Sequence, residues 1–349
     1  MKYLIILTLV LITTSCTTNN NGNITADYNS NLSRFSHYHA GLMDTVITIV
    51  GYAASESEFN YYVNEMVQKF TYLHNLFTTF DEVEGLTNMY TVNSMAGIQP
   101  VEVDDLIIQL LQLSKEMYIY TNGALNIALG PVLEIWHNHR TMQNSTVPTM
   151  EVLHYANQFT NINHLIINEE YNTVFLQHPN MSLDVGTVAK GLAIDIVANM
   201  AYDMGLEHFL ISVGGDVKTM NAPPNATTWV TGIQNPRSPQ NNDLIDIVRV
   251  QNLSVFTSGD YERYFIVDDT RYNHIVDPTT LMPSQNFISV TVIHEDSLIA
   301  EVLSTSLFIK DLHAGQELLQ KLGGYAMWVL PDESVVVSPN YGQFSDNFS

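Results

Sequence analysis

Apolar residues recur at helical spacing in four stretches of the chain. They predict helices over Ser55–Leu76, Val103–Tyr120, Val188–Met204 and Leu298–Ile309. Ser55 and Glu58 have the spacing of a capping box at the start of the first helix. Gly123 and Gly205 follow the second and third helices and are typical of helix ends. The pattern therefore gives both the helices and their termini.

Shorter apolar runs, several of them alternating with polar residues, predict strands. They cover Phe209–Val213, Trp229–Gln234, Ile245–Val250, Phe287–His294, Tyr325–Leu330 and Ser334–Ser338, and the last two form a predicted hairpin. A further hairpin is predicted over His164–Gln177, which turns at Glu169-Glu170. Because helices and strands are mixed without strict alternation, the pattern favours an α+β fold over a doubly wound sheet.

The N-terminus has the pattern of an export signal. Lys2 precedes the apolar run Leu4–Ile12, and Thr13–Ser15 adds small residues. The run is too short to span a bilayer as a stop-transfer helix. The sole cysteine, Cys16, follows directly and resembles a bacterial lipoprotein cleavage site, although Thr13 stands where leucine is usual. We expect residues 1–15 to be a signal peptide and Cys16 to be lipidated; an ordinary signal peptide with an incidental cysteine is the alternative.

Composition separates a tether from a globular domain. Residues 17–36 are rich in Asn, Thr and Ser, so residues 16–36 are expected to form a flexible tether to a domain over residues 37–349. At 46% hydrophobic residues the chain can bury a large core, and with one cysteine it forms no intramolecular disulfide. The formal net charge of −23 argues against nucleic-acid binding and otherwise favours solubility.

Two glycine-containing segments are candidates for ligand contact. The first runs Ser182-Leu183-Asp184-Val185-Gly186-Thr187-Val188-Ala189-Lys190-Gly191 and is expected to join a strand ending near Val185 to a helix. The start of a helix presents free N–H groups and suits a phosphate, and Lys190 adds a positive charge in the first turn. The second, Ile211–Asp216, enters Gly214-Gly215, which allows close approach to a ligand or simply forms a tight turn.

Two further segments carry groups suited to proton transfer and cation binding. Thr257–Arg263 is followed by Tyr272–Pro278, where His274 precedes a predicted turn at Asp277-Pro278. Imidazole suits proton transfer near neutral pH, although a lone histidine is more often structural. Glu301 and Thr305 share one helix face and offer two oxygens to a hard cation such as magnesium; a solvated face is the alternative.

Together and in this order, the segments resemble the ApbE family of FAD:protein FMN transferases. The N-terminal half adds Met43-Asp44-Thr45, Phe77-Thr78-Thr79-Phe80 with Asn88, and Gly123–Pro131 leading to Trp136. The likeness extends from Met43 to Tyr341. It implies one large globule with mixed helices and antiparallel sheet, similar to a T-fold.

The resemblance also implies roles for individual residues. FAD would contact Met43, Phe77, Thr78, Thr79, Ala124, Leu125, Asn126, Asp184, Lys190 and Ile275. Magnesium would be held by the carbonyl of Thr187 and the side chains of Glu301 and Thr305, with His274 as general base and Lys190 neutralising a phosphate. Glu301 and Asn126 stand where the family usually has aspartate, a difference that bears on metal affinity and rate.

The implied reaction is attack by a threonine or serine hydroxyl of an acceptor protein on the FMN phosphorus of FAD, which releases AMP. Attack by water would make the site an FAD pyrophosphatase, and a non-catalytic FAD-binding lipoprotein is a further interpretation. Asp260 is an alternative base. By resemblance, acceptors are flavin-carrying subunits of membrane electron-transport complexes. The protein would then be a lipoprotein of the cell (inner) membrane that faces the periplasm.

Overall fold

The computed structural model describes residues 31–142, 145–238 and 243–348. The helices are α1 (Glu56–Phe77), α2 (Met89–Ser94), α3 (Asp105–Tyr120), α4 (Gly130–Thr141), α5 (Met150–Asn157), α6 (Ala189–Asp203), α7 (Ser297–Ile309) and α8 (Leu312–Leu322). The strands are β1 (Ser33–Leu42), β2 (Thr45–Ala53), β3 (Val101–Glu102), β4 (Leu165–Asn168), β5 (Thr173–Leu176), β6 (Phe209–Val213), β7 (Asp216–Met220), β8 (Trp229–Gln234), β9 (Leu244–Val250), β10 (Ser254–Gly259), β11 (Tyr264–Val267), β12 (Thr270–Asn273), β13 (Ser289–His294), β14 (Tyr325–Val329) and β15 (Val335–Val337).

An eight-stranded sheet in the order β1-β2-β6-β7-β10-β13-β14-β15 forms the centre of the fold. Its neighbouring strands are antiparallel. Strand β6 is buried at all five positions because both faces of the sheet are covered. Helices α1, α6 and α7 cover one face, and the β8–β9 hairpin covers the other. The predicted α+β class with an antiparallel sheet is confirmed.

The predicted helices are present with ends shifted by at most two residues. The Ser55 hydroxyl accepts a hydrogen bond from the N–H of Glu58, as a capping box requires. The Glu58 carboxylate, however, accepts from the N–H of Ala54 at 2.8 Å rather than from that of Ser55, so the box is only half formed. The predicted hairpin over His164–Gln177 is β4–β5.

The ordered sheet begins earlier than predicted. Strand β1 starts at Ser33, inside the predicted tether over residues 16–36. Its alternating polar residues pair with β2 along the edge of the sheet, from Ser33 opposite Ala53 to Leu42 opposite Thr45. Cys16 and the predicted signal peptide lie outside the described residues. No helix among the described residues is long and apolar enough to cross a membrane.

Helices α6 and α7 approach each other closely at Gly191. A Cβ atom built on Gly191 would lie 2.5 Å from the carbonyl oxygen of Ser297 and 2.7 Å from the Cα of Leu298. These are backbone atoms at the start of α7 and have little freedom to move. The absence of a side chain at Gly191 therefore fixes the distance between the two helices.

Gly191→Ala is expected to lower the free energy of unfolding by about 1–3 kcal/mol, because the added methyl group forces the helices apart. Gly315→Ala on α8 is a matched control: its Cβ would meet only ordinary van der Waals neighbours, with the nearest at 3.4 Å. The control should be neutral or slightly stabilising, since alanine favours a helix. Urea denaturation of both variants tests this, and equal stabilities would contradict it.

Candidate functional site

A cavity of about 950 Å³ opens beside α4, α6 and α7. The predicted site residues that line it are Met43, Thr79, Ala124, Leu125, Asn126, Asp184, Thr187, Lys190, His274, Ile275, Glu301 and Thr305. Phe77 and Thr78 do not line it: Phe77 is a core residue, and Thr78 caps α1 through the carbonyl of His74. The fold thus gathers most of these dispersed residues around a single space.

Two tight turns form one wall of the cavity. Met43 and Asp44 connect β1 to β2 with φ angles of 52° and 55°, a conformation that is uncommon for residues other than glycine. Gly214 and Gly215 connect β6 to β7 with φ angles of 63° and 98°. A Cβ on Gly214 would lie 2.7 Å from the Thr45 hydroxyl, so the turns pack directly together. The tight-turn interpretation of the two glycines is correct, and Gly214 also lines the cavity.

The segment before α6 is irregular rather than a strand ending near Val185, and that part of the prediction is wrong. The Asn93 side chain takes the place of a neighbouring strand: it donates to the carbonyl of Leu183 at 2.9 Å and accepts from its N–H at 2.8 Å. The N–H of Asp184 donates to the carbonyl of Ile127. These bonds hold Asp184 and Thr187 at the cavity wall.

Lys190, in the first turn of α6, forms an ion pair with Asp216 at the start of β7. Asp216 is 5% exposed and also accepts from the N–H of Thr257 at 2.9 Å. Burial alone would lower the pKa of Lys190, but the negative charges of Asp216 and Glu301 and the bond to Asp216 outweigh it and raise that pKa. Lys190 is therefore charged, and a carboxylate already compensates much of its charge.

Glu301 and Thr305 face the cavity from α7. Glu301 is 4% exposed, and its Oε2 accepts from the N–H of Gly191 at 2.7 Å. Burial raises the pKa of Glu301 to about 7, while the charge of Lys190 and the N–H of Gly191 act in the opposite direction. The Thr305 hydroxyl lies 3.3 Å from that of Ser258. Across the described ranges, no group of three or more His, Cys, Asp or Glu side chains is arranged to hold a metal ion.

Other carboxylates of the cavity also lack full compensation of their charge. Burial raises the pKa of Asp184, against the N–H of Gly186 and the charge of Arg263. Burial and the charge of Asp216 raise the pKa of Glu262. Among the described residues that line the cavity, acidic side chains outnumber Lys and Arg, and burial disfavours the charged forms of Asp184 and Glu262.

His274 follows β12 and lines the cavity. Burial, followed by the positive charges of Arg263 and Arg140, lowers its pKa to about 3. Its Nδ1 atom is buried without a hydrogen-bond partner in the described residues. The imidazole is thus neutral at physiological pH, and its pKa lies well below the ordinary value of 6.5.

The alternative base, Asp260, lies outside the cavity lining. Arg237 donates to both of its carboxylate oxygens, at 2.8 and 2.6 Å, and Arg271 lies 3.5 Å from one of them. Asp260 is therefore engaged by two arginines outside the cavity, away from a substrate that the cavity would hold.

Asn126 has a structural role that uses its amide. Its Oδ1 accepts from the N–H of Ala128 and caps a short 3₁₀ helix over Ile127–Leu129, and its Nδ2 donates to the carbonyl of Thr160 at 3.0 Å. A carboxylate could accept the first bond but could not donate the second. The amide therefore suits this position.

Several cavity residues have no individual role predicted from the sequence. They are Phe80, His137, Arg140, Asp216, Glu262 and Arg263. Asp216, Glu262 and Arg263 lie inside the candidate segments Ile211–Asp216 and Thr257–Arg263. Their position in those segments was the signal that could have identified them from the sequence. His137 and Arg140 lie on α4, where no motif marks them. Phe80 is 66% exposed, and its ring centroid lies 6.2 Å from that of His137.

Comparison with known proteins decides the family. The profile of the ApbE family matches residues 43–329, most of the chain. The chain belongs to the ApbE family. A protein from Klebsiella pneumoniae (strain 342) named FAD:protein FMN transferase is 33% identical over 253 residues, covering 71% of this chain and 76% of the relative. One of the same name from Vibrio cholerae serotype O1 is 30% identical over 229 residues, covering 65% and 68%.

Solved structures give the same fold. The crystal structure of the ApbE protein from Thermotoga maritima has a TM-score of 0.81 and 27% identity, covering 89% of this chain and 99% of that one. The structure titled flavin transferase ApbE from Vibrio cholerae has a TM-score of 0.76 and 22% identity, covering 90% and 99%. The resemblance found in the motifs is thus confirmed, and it places the chain in a family whose curated members are named as enzymes.

Proposed function

We propose that this ApbE-family protein is an FAD:protein FMN transferase. In the proposed reaction a threonine or serine hydroxyl of an acceptor protein attacks the FMN phosphorus of FAD, and AMP leaves. The observation that supports it best is the meeting of Glu301, Lys190 and a neutral His274 around one cavity of about 950 Å³. That volume lies at the upper end of ligand pockets and suits a dinucleotide. The names of the curated relatives agree with it.

The balance of charge supports a cation cofactor. Among the described residues, six carboxylates and three Lys or Arg side chains line the cavity: Asp44, Glu134, Asp184, Asp216, Glu262 and Glu301 against Arg140, Lys190 and Arg263. An anionic pyrophosphate entering this space meets an excess of negative charge. A hard divalent cation would offset the negative charge of the pyrophosphate and that of the cavity lining. The oxygen donors of Thr187, Glu301 and Thr305 suit magnesium. Bound there, it would supply charge neutralisation at the pyrophosphate.

Side chains of the protein would bind the phosphates, accept the proton and stack on the flavin or adenine ring. The first turn of α6 carries Lys190 and adds the partial positive charge of a helix start, which favours phosphate oxygens. Neutral His274 would accept the proton of the incoming hydroxyl once bound phosphates offset the charges of Arg263 and Arg140, which together with burial lower its pKa. Phe80 and His137 present aromatic rings at the cavity wall, where a planar ring system of FAD can stack.

Product analysis separates the transferase from its alternatives. The protein is incubated with FAD and magnesium, with and without an acceptor, and the nucleotides are separated by chromatography. A transferase releases AMP only with the acceptor present and without matching free FMN. A pyrophosphatase releases FMN and AMP in equal amounts in both samples, and a non-catalytic binder leaves FAD intact. Either of the last two results would refute the proposal.

We also propose that Cys16 is lipidated and anchors the protein to the cell membrane on its periplasmic side. The apolar run before the sole cysteine supports this location. Acceptors would then be flavin-carrying subunits of electron-transport complexes in the same membrane.

Cys16→Ala is expected to move the protein from the membrane fraction to the soluble exported fraction, because the acyl chains supply the membrane affinity. Cell fractionation followed by immunoblotting measures the shift. Ser15→Ala, which keeps the cysteine, serves as the control and should remain in the membrane. Retention of Cys16→Ala in the membrane as firm as that of the parent would contradict the anchor.

A further inference from the structure

Two arginines face the cavity from different parts of the fold. Arg140 lies at the end of α4, and Arg263 lies in the loop between β10 and β11. The side chain of Arg140 is half-buried, whereas that of Arg263 is open to the cavity. They are close enough that the charge of Arg263 contributes, after burial, to a lowered pKa of Arg140. Both charges also lower the pKa of His274.

Neither arginine has a carboxylate partner within 4.0 Å among the described residues. Among the described residues, the guanidinium of Arg140 shares a hydrogen bond only with the ring of His137, at 3.1 Å. By contrast, Lys190 is paired with Asp216. Two like charges near each other repel when neither forms an ion pair, and an anion bound between them would reduce that repulsion. The carboxylates of Asp184 and Glu262 interact with Arg263 only beyond ion-pair distance.

The loop that carries Arg263 is fixed at its base. Asp260 lies three residues earlier and is clamped by Arg237 and Arg271. The Nδ1 atom of His274, buried and without a partner among the described residues, lines the same region. The arginines are therefore presented on a supported loop and a helix, near a buried imidazole nitrogen that has no hydrogen-bond partner among the described residues.

We propose that Arg140 and Arg263 together bind the pyrophosphate oxygens of FAD and supply the main positive charge of the cavity that is not held in an ion pair. Guanidinium groups suit this task because their paired N–H donors match two phosphate oxygens at once. In this assignment the positive charge of Lys190 mainly offsets the negative charges of Asp216 and Glu301. Lys190 then contributes less than the two arginines to the binding of FAD. This assignment rests on the proposed use of FAD as substrate.

The test compares ligands with and without phosphate. Binding of FAD, riboflavin and inorganic pyrophosphate is measured by calorimetry for the parent, Arg140→Gln, Arg263→Gln and the double variant. Each single change should weaken FAD and pyrophosphate about tenfold to a hundredfold and leave riboflavin nearly unchanged. Arg263→Lys should recover part of the loss by keeping the charge. Arg249→Gln, which breaks a surface pair with Asp346 away from the cavity, should change nothing.

The assignment is overturned if FAD and riboflavin weaken equally, or if the double variant binds FAD and pyrophosphate like the parent. Thermal denaturation of each variant identifies any loss of folding, and in that event the Arg263→Lys comparison decides. A parent protein that binds FAD but transfers no FMN would refute the proposed function, while the ligand comparison would still test the arginines.

Discussion

Glu301→Gln is expected to reduce FMN transfer at least about a hundredfold and to remove most of the magnesium response. The amide keeps the size of the side chain and its acceptor for the N–H of Gly191, so the fold should persist. It lacks the negative charge that a divalent cation requires. Transfer rates measured across a magnesium titration test the change.

The pH dependence of protein stability gives a second test of the proposed metal site, and this test does not require FMN transfer. With a pKa raised to about 7, Glu301 holds a proton in the folded protein over a range where it is ionised in the unfolded chain. Its contribution to stability therefore falls as pH rises from its ordinary value of 4.5 toward 7. Because a cation needs the ionised form, stabilisation by magnesium should grow as pH rises through about 7, and Glu301→Gln should abolish this trend.

Glu134→Gln is the matched control for Glu301→Gln. Glu134 also lines the cavity, from α4, but its side chain is exposed and makes no part of the proposed magnesium site. Its loss should leave the magnesium requirement close to that of the parent. Full activity of the parent in EDTA, or an unchanged magnesium titration for Glu301→Gln, would contradict the proposed metal site.

His274→Asn is expected to retain FAD binding and lose transfer by about a hundred- to ten-thousandfold. A base acts on the proton only as the bond to phosphorus forms, so its removal lowers kcat far more than it weakens substrate binding. Single-turnover transfer rates and FAD dissociation constants measured separately test this split. If affinity and rate fall equally, or turnover stays near that of the parent, His274 is a positioning residue.

The pH profile of the parent follows from the surroundings of His274. With its pKa lowered to about 3, the imidazole is already neutral in the free protein throughout the ordinary range. kcat/KM should therefore show no acid limb from His274 near pH 6.5. Phosphates bound beside Arg140 and Arg263 would offset the charges that lower this pKa, so any limb in kcat should lie at higher pH than in kcat/KM.

Elements with strong periodicity are predictable from the sequence, whereas those that tertiary contacts define are not. Helix α7 shows a nearly continuous apolar face, and its predicted start lies one residue from the observed one. Strand β1 overlaps the predicted tether because it is a partly exposed edge strand with polar residues at alternate positions. Its place in the sheet depends on pairing with β2, which no local pattern reveals.

The site residues, too, are predictable where local sequence marks them and not where tertiary contacts define their partners. Lys190, His274 and Glu301 lie in segments with distinctive local composition and could be selected from the sequence. The pairing of Lys190 with Asp216 joins residues 26 positions apart and required the structure. The pKa of His274 depends on burial and on Arg140, a residue of α4 that no motif marks. Residue types were therefore predictable, whereas charge states and partners were not.

Intact-protein mass spectrometry of an acceptor subunit tests the central proposal most directly. After incubation with the protein, FAD and magnesium, the acceptor should gain one FMN linked through phosphate to a threonine or serine, with AMP formed in equal amount. EDTA or Glu301→Gln should prevent the gain. An unmodified acceptor, with FAD either intact or split into free FMN and AMP, would contradict the assignment of this chain as an FAD:protein FMN transferase.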